Sequence, residues 1–261
     1  MPPFEGWEGW DEYAPFYDWE NARTLGRRDV GFWQRLASGV RGPVLELGCG
    51  TGRIAVPLAR AGINLVGIDR SGRMLVRAAK RAAAIRSRRR RRGKLALVRG
   101  DIRHLPFAAE RFGFVIGAYG ILQSLLSDRD LAATLRSAAR VLKPGGLLGI
   151  DLVPDVPRWR EYKDRVQMRG RMRGGTHLTL IESVRQEPGK RRTTFEQRYV
   201  ERRGRAVREH HFELSFRTLT VPEMRRRLER AGFRVRAALG DYRGRAWDER
   251  ADVWILLAEK V

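Results

Sequence analysis

One stretch near residue 50 constrains the fold of this chain more than any other. A short apolar run, Val44 to Leu47, leads into three alternate glycines, Gly48, Gly50 and Gly52, and a helical pattern follows. Glycine tolerates positive φ and has no Cβ, so a ligand could lie directly on a turn of this composition. The free N–H groups at the start of the helix would face that ligand. The stretch therefore predicts a strand, a ligand-binding turn and a helix.

Strands and amphipathic helices alternate after this unit, which implies a parallel sheet with right-handed crossovers. The predicted strands are Val44–Leu47, Leu65–Asp69, Leu95–Val98, Phe114–Ala118 and Leu147–Leu152. The predicted helices are Arg53–Arg60, Arg73–Ile85 and Asp128–Leu142, the last beginning at a capping-box-like Ser127-x-x-Asp130.

The periodicity changes to two residues in the second half of the chain, which indicates antiparallel strands. We expect three of them, at Thr176–Gln186, Thr193–Glu201 and Ala206–Arg217. A helix at Pro222–Arg230, capped by Thr220-x-x-Glu223, and strands at Phe233–Leu239 and Val253–Ala258 return to the first pattern. This predicts an N-terminal helical cap (1–40), a main domain (41–154 and 218–261) and an antiparallel β insert or lid (155–217).

Two acidic residues decide which nucleotide the glycine turn would bind. Asp69 ends the second strand, where a carboxylate would receive the two hydroxyls of a ribose. A dinucleotide fingerprint needs G-x-G-x-x-G, but here the third glycine comes one position earlier and Arg53 occupies the fingerprint position. Glu46, two residues before the first glycine, would repel a pyrophosphate but suits a ligand with an ammonium group. The pattern favours S-adenosylmethionine over NAD.

Five segments, in order between about residues 43 and 153, resemble the motifs of class I S-adenosylmethionine-dependent methyltransferases of the small-molecule type. They are Glu46-Leu-Gly-Cys-Gly-Thr-Gly52, Gly67-Ile-Asp69 through Met74-Leu75, Gly100-Asp101-Ile102 through Phe107, Phe112 through Gln123, and Leu142-Lys-Pro-Gly-Gly146. The resemblance implies an α/β fold with a Rossmann-like, mostly parallel seven-stranded sheet flanked by helices, and an antiparallel β insert after strand five. Departures are Arg53, and Gly120 where many relatives have a polar residue.

The same resemblance implies which residues bind S-adenosyl-L-methionine. Asp69 would hold the ribose, Met74 would lie along the adenine, Asp101 would accept from the adenine amino group and Ile102 would cover the ring. Tyr13 and Tyr17 resemble N-terminal tyrosines that fold over the methionine end of the donor. The complete expected set is Tyr17, Glu46, Gly48, Cys49, Gly50, Thr51, Gly52, Asp69, Arg70, Met74, Gly100, Asp101, Ile102, Ala118, Tyr119 and Gln123.

The acceptor side offers few candidates for a general base, which helps when the acceptor is a hydroxyl or a protonated amine. His210 shares a strand face with Phe212, and His211 shares the other face with Glu213. If the insert covers the cleft, one of these faces meets the acceptor, so His210, His211 and Tyr119 are the catalytic candidates. The alternative for the histidines is a packing or surface position on a strand.

The net positive charge of the chain is compatible with a second function, the methylation of RNA. Lys and Arg total 53 against 30 Asp and Glu, a formal charge of +23 that would attract polyanions such as RNA. Arginine bias at exposed positions explains the same number. The run Arg86–Arg92 has no interleaved aromatic residues for base stacking, and we expect its loop at the sheet edge opposite the cleft. A methyltransferase of a small-molecule acceptor is favoured, with an RNA methyltransferase and a non-catalytic S-adenosylmethionine-binding protein as alternatives.

The remaining composition predicts cellular context. The single cysteine, Cys49, cannot form an intramolecular disulfide, and no Cys/His spacing predicts a metal site. No run of 18 apolar residues exists, and Met1 to Asp18 is acidic and aromatic, unlike a secretory signal. We therefore expect a cytoplasmic protein with no metal and no membrane contact, as a monomer or homodimer.

Overall fold

The computed structural model describes residues 9–24, 28–84, 93–152, 161–172, 175–251 and 253–261. The helices are α1 (Trp10–Thr24), α2 (Arg28–Ser38), α3 (Ala55–Arg60), α4 (Gly72–Ala83), α5 (Asp128–Val141) and α6 (Val221–Arg230). The strands are β1 (Val44–Leu47), β2 (Leu65–Asp69), β3 (Leu95–Arg99), β4 (Phe112–Gly117), β5 (Leu142–Leu152), β6 (Tyr162–Arg171), β7 (His177–Glu187), β8 (Arg192–Arg203), β9 (Ala206–Arg217), β10 (Phe233–Leu239) and β11 (Trp254–Lys260).

The main sheet confirms the predicted fold class. Its seven strands run in the order β10-β11-β5-β4-β1-β2-β3. Strands β1 to β5 pair in parallel, and β11 lies antiparallel between β5 and β10. Helices α5 and α6 contribute to one buried hydrophobic cluster, and α2 and α3 contribute to another. Because both faces are covered, strands β1 and β4 are buried along their whole length.

Helix starts follow the capping residues in the sequence. The side chain of Ser71 accepts from the backbone N–H of Met74, and that of Ser127 accepts from Asp130. Thr220 and Glu223 form the complete reciprocal capping box that the sequence predicts. The start of α3 is a difference, since it begins at Ala55 rather than Arg53, after a turn that continues from the glycines.

A second sheet has four antiparallel strands, β6-β7-β8-β9, where the sequence predicts three. The expectation missed β6. This strand lies at the sheet edge and is mostly exposed, so it has no alternation of apolar and polar residues to reveal it. Strands β7, β8 and β9 lie where they are predicted, within two residues at each end.

Helix α1 connects the two sheets. Its residues Tyr13, Phe16 and Trp19 share one buried cluster with Met74 of α4 and with the second sheet, represented by Leu178, Leu180, Tyr199 and Leu214. On its other side, the Asp18 carboxylate forms ion pairs with Arg77 (2.8 Å) and Arg81 (2.7 Å) of α4. The helix is therefore held by aromatic packing on one side and by charge on the other.

Three sequence predictions are not decided by the fold. The run Arg86–Arg92 lies outside the described residues. The division into cap, main domain and insert stays a prediction, as does the cytoplasmic location. Within the described ranges, no helix has the length and apolar character needed to span a bilayer.

Candidate active site

A cavity of about 310 Å³ lies at the carboxyl ends of the parallel strands. It is bounded by the turn after β1, the end of β2, the segments after β3 and β4, and the start of α1. Ten of the predicted donor residues line it: Tyr17, Gly48, Gly50, Asp69, Arg70, Met74, Asp101, Ile102, Ala118 and Tyr119. Others of the predicted set are absent from its described lining: Glu46, Cys49, Thr51, Gly52, Gly100 and Gln123. The site assignments themselves stay predictions.

The glycine turn needs its glycines for two different reasons. Gly48 and Gly50 have φ of +61° and +52° and line the cavity, so their backbone is open to a ligand. Gly52 has φ of +76°, and a Cβ there would lie 2.8 Å from Val56 Cγ2 and 3.2 Å from Ala78 Cβ. Gly52 therefore allows α3 and α4 to pack closely, and it contributes to the site only through this packing.

Asp69 is fixed by backbone amides on both of its oxygens. Oδ2 accepts from Gly50 N (2.8 Å) and Oδ1 accepts from Ser71 N (2.9 Å). Burial raises its pKa, and these two hydrogen bonds oppose that change. Each carboxylate oxygen has a further lone pair, so the group can still accept from a ligand hydroxyl in the cavity.

Below the turn, two buried polar groups have unused bonding capacity. Glu46 is 4% exposed, and within the described structure Glu46 Oε2 and Thr51 Oγ1 have no hydrogen-bond partner. Burial raises the pKa of Glu46 to about 8, although Arg53 lowers it. An unpartnered buried carboxylate oxygen is costly. These groups, with the cavity lining above them, fit a ligand that carries an ammonium group.

Arg53 is the counter-charge beside this group. It forms an ion pair with Asp29, with 2.7 Å between Nη2 and Oδ2, and its guanidinium lies 5.2 Å from the centroid of the Tyr119 ring. Tyr17 is nearby, and burial raises its pKa to about 12 while Arg53 lowers it. Arg53, which stands where the dinucleotide pattern needs glycine, is therefore a paired cation near the glycine turn and two tyrosines.

Asp101 has more hydrogen-bond and ion-pair partners within the protein than the sequence predicts. Arg103 donates to both oxygens, with Nη2 2.8 Å and Nε 3.0 Å from Oδ2, and Arg70 lies at 3.4 Å. Burial raises the pKa of Asp101, but the hydrogen bonds from Arg103 outweigh it, so the pKa is lowered overall. An adenine amino group could reach this carboxylate only beside Arg103 or in its place.

The segment after β4 has a feature that the sequence did not reveal. Tyr119 and Gly120 both have positive φ, +59° and +65°. The Gly120 N–H donates to Oδ1 of Asp151 (3.1 Å), and the Tyr242 hydroxyl donates to Oδ2 (2.9 Å). Asp151 is 2% exposed, and burial raises its pKa to about 6. A non-glycine residue with positive φ at a cavity is a sign of functional constraint.

Helix α1 forms part of the cavity wall through Trp10, Asp11 and Tyr17. Asp11 accepts from the Ser71 hydroxyl and from the Arg73 N–H at the start of α4. Tyr13 instead turns toward the second sheet, where its ring centroid lies 5.1 Å from that of Phe212. Sequence reasoning identified Tyr17 and missed Trp10 and Asp11, which have no local pattern to mark them.

Both histidine candidates lie on β9 and neither is among the described residues that line the cavity. The His210 ring packs 4.8 Å from that of Phe16, and Nε2 lies 3.3 Å from Glu201. The His211 side chain is 68% exposed beside Glu209. Their catalytic role stays a prediction, and this placement gives it no support. Among the described residues, no three His, Cys, Asp or Glu side chains are grouped so as to hold a metal ion.

Comparisons with known proteins agree with the geometry. A family model described as "Methyltransferase domain" matches residues 44–146. A demethylmenaquinone methyltransferase of Paenarthrobacter aurescens (strain TC1) is 31% identical over 193 residues, covering 68% of this chain and 70% of that protein. The O-methyltransferase resE of Aspergillus sclerotiorum is 32% identical over 142 residues, 54% of this chain. The chain spans about half the length of most of the first curated relatives it matches, 50% for resE.

Solved structures have the same fold. The sugar N-methyltransferase KedS8 from Streptoalloteichus sp ATCC 53650 superposes with a TM-score of 0.73 at 17% identity, covering 92% of this chain and 91% of that chain.

Proposed function

We propose, from the premise that this chain belongs to the class I S-adenosylmethionine-dependent methyltransferases, that it transfers a methyl group from S-adenosylmethionine to a nitrogen or oxygen nucleophile of a small molecule. The membership rests on the fold and on the demethylmenaquinone methyltransferase that the chain matches over most of its length. One observation carries the activity: the glycine turn and Asp69 line one cavity, and Glu46 is buried in the strand that leads into this turn.

The chain's own residues divide the binding of the donor. Gly48 and Gly50 provide open backbone, and Asp69 provides lone pairs for the ribose hydroxyls. Met74 and Ile102, both nearly buried in the cavity wall, provide apolar surfaces for the adenine. Glu46 provides the negative charge for the ammonium. When bound, the donor supplies a methyl group on a positively charged sulfur.

The remaining requirement is alignment and exclusion of water, because methyl transfer from a sulfonium is an in-line substitution. Tyr17 and Trp10 of α1 line the cavity together with Tyr119 from the segment after β4. Tyr119 and Gly120 both have a left-handed backbone conformation, and the hydrogen bond from Gly120 N–H to Asp151 fixes the position of this part of the wall. These residues would position the acceptor against the methyl group.

The size of the cavity supports a small-molecule acceptor over RNA. Its volume lies at the lower end of the range typical of small-ligand sites. KedS8, which shares the fold, is a sugar N-methyltransferase. We therefore keep the small-molecule acceptor as the proposal.

Calorimetric titration tests the donor. We expect S-adenosylmethionine and S-adenosylhomocysteine to bind with 1:1 stoichiometry, and NAD to bind at least tenfold more weakly. Preferential binding of NAD would overturn the proposal. Incubation with labelled donor and either a small-molecule extract or total RNA then tests the acceptor. Label in small molecules supports the proposal, label in RNA favours the RNA enzyme, and donor binding without any transfer favours a non-catalytic binding protein.

A further inference from the structure

We infer that the acceptor side of this cavity stabilises positive charge and therefore takes an amine nitrogen rather than a hydroxyl. The inference rests on the proposed function and names the substrate class for the same site. Three observations support it: the aromatic lining of the acceptor side, the carboxylate buried behind that lining, and the ion pairs that the nearby arginines form with other carboxylates.

We take the acceptor side to be the part of the wall formed by α1, the segment after β4 and the end of β9; its lining is largely aromatic and apolar and also includes Glu12 and Ser124. Trp10 and Tyr17 come from α1, Tyr119 and Leu125 from the segment after β4, and Phe216 from the end of β9. Aromatic faces attract cations, and the attraction grows when water is excluded. Neither histidine nor lysine occurs among the described lining residues, so a hydroxyl acceptor would lack the usual imidazole or amine base.

A carboxylate is buried directly behind this lining. Asp151 lies one hydrogen bond behind Gly120, which lines the cavity and donates its N–H to Oδ1 of the carboxylate. Its hydrogen-bond partners are a backbone N–H and a tyrosine hydroxyl, and the described residues give it no ion pair. Glu46, below the glycine turn, is a second buried carboxyl group, but its pKa of about 8 keeps it largely protonated at neutral pH. Asp151 is therefore the negative charge that makes the field at this point favourable for a cation.

The arginines near the cavity do not cancel this field. Arg53 is neutralised by Asp29 through two short contacts of 2.8 Å and 2.7 Å. Arg70 and Arg103 lie at the other end of the cavity, where both contact Asp101. The strongly cationic chain therefore has a locally anionic methyl-transfer site.

Tyr119 forms part of the cavity wall and is 43% exposed. Its partial burial raises the pKa of its phenol, Tyr17, Glu20 and Asp151 raise it further, and Arg53 opposes them. The same carboxylates that disfavour a phenolate would disfavour an alkoxide on a substrate. They would favour an ammonium at the same place.

Charge balance of the reaction distinguishes the two acceptor classes. An amine acceptor that enters as an ammonium first gives a proton to water, and its lone pair then forms the N–C bond to the methyl group while the C–S bond breaks. The positive charge passes from sulfur to nitrogen, leaving a neutral thioether, and the product ammonium carries it out of the site or loses a proton to solvent. The charge stays in the site during the transfer itself, where Asp151 stabilises it. A hydroxyl acceptor releases its proton and gives a neutral ether, so no positive charge remains on the product for Asp151 to stabilise.

Ligand affinity tests the inference without a known acceptor. Sinefungin has an amine-bearing carbon in place of the sulfonium centre, whereas S-adenosylhomocysteine is neutral there. We expect wild-type protein to bind sinefungin about tenfold more tightly than S-adenosylhomocysteine. In Asp151→Asn, which keeps the acceptor for Gly120 N–H but removes the charge, this ratio should fall at least threefold. The affinity for S-adenosylhomocysteine should change less.

Matched variants separate charge from structure. Tyr242→Phe removes a hydrogen bond to Asp151 but leaves the carboxylate, so the ratio should remain at the wild-type value or rise. Asp248→Asn, an exposed carboxylate paired with Arg245, is the surface control and should leave the ratio unchanged. A purely structural role for Asp151 would weaken both ligands equally.

The results distinguish this inference from the proposed function. If neither ligand binds, the proposed function fails. If both bind with equal affinity, or if Asp151→Asn leaves the ratio unchanged, the inference is wrong and the proposed function stands. Labelled donor offered with equal benzylamine and benzyl alcohol gives a second readout: label in the N-methyl product supports the inference and label in the ether overturns it. Where neither is methylated, the affinity ratio decides.

Discussion

Asp69 Oδ2 lies 2.8 Å from the backbone nitrogen of Gly50, so the carboxylate that ends β2 accepts a hydrogen bond from the glycine turn after β1. The residue expected to hold a ribose thus also fixes the position of the turn. Ligand contact and backbone geometry are coupled through a single side chain.

Replacement of Asp69 by Asn should weaken binding of S-adenosylhomocysteine about ten- to a hundredfold, because a charge-assisted hydrogen bond contributes about 1.5–3 kcal/mol. The amide oxygen can accept from only one of the Gly50 and Ser71 N–H groups, so we expect a local loss of one hydrogen bond and an intact fold. Calorimetry gives the affinity and circular dichroism the fold. Asp248→Asn is the control, and an unchanged affinity in Asp69→Asn would overturn the ribose assignment.

Replacement of Gly52 by Ala should lower the free energy of unfolding by about 1–3 kcal/mol, because the Cβ meets Val56 and Ala78 and the backbone has positive φ. Gly189→Ala, where a Cβ meets nothing within 4 Å and φ is not positive, should change it by less than about 0.5 kcal/mol. Urea denaturation measures both. Equal effects would show that the close packing of α3 and α4 is not what requires glycine.

Glu46 should make the unliganded protein less stable as pH rises. Its folded pKa of about 8 is above its ordinary value of 4.5, so the folded state binds the proton more tightly. The contribution is complete below pH 4.5 and is lost as pH rises through 8, with a slope of at most about 1.4 kcal/mol per pH unit. Glu46→Gln should remove this dependence in denaturation from pH 5 to 9. A parallel pH profile in wild type and variant would contradict the assignment.

Removal of the Asp18 carboxylate should loosen α1. The exposed ion pairs to Arg77 and Arg81 contribute about 0.3–1 kcal/mol, so Asp18→Asn should increase hydrogen exchange of residues 10–24 about two- to fivefold. Raised ionic strength should have the same effect on wild type and little on the variant. If exchange is the same in both proteins, aromatic packing alone holds the helix.

The two histidines should differ in stability rather than in chemistry. His210→Ala removes a ring that packs on Phe16, and we expect a loss of about 0.5–1.5 kcal/mol. His211→Ala changes an exposed side chain and should have an effect within about 0.5 kcal/mol. Both should keep wild-type donor affinity and methylation rate. A large loss of rate in either variant at unchanged stability would restore the predicted catalytic role.

The parts of the fold that sequence reasoning predicted are those where one local pattern decides the outcome. Strands β1 and β2 begin and end where they were expected, because buried parallel strands are continuous apolar runs that stop at turn residues. The capping box at Thr220 also depends only on neighbours in sequence. Strand β6 has no such pattern, because exposed edge residues need not alternate.

The candidate site likewise contains residues that a local motif predicts and residues that come together only in the folded chain. Gly48 and Asp69 belong to short motifs, so their place at the cavity was predictable. Asp151 and Tyr242 are 91 residues apart in sequence and meet only through the order of the strands. The pairing of Asp101 with Arg103 is local but was not expected, because a motif states which residues are present and not which of them already bind each other.

The contact between the first helix and the second sheet has a consequence for biosynthesis. The hydroxyls of Tyr13 and Tyr199 lie 3.5 Å apart, although 186 positions separate them. The helix must therefore wait for its partners on the second sheet until the eighth strand leaves the ribosome. At typical elongation rates this takes on the order of ten seconds or more. Pairing of such distant segments also slows folding itself. The helix that forms part of the cavity wall is thus synthesised well before the sheet on which it packs, so a nascent chain would complete this wall only after β8 has been made.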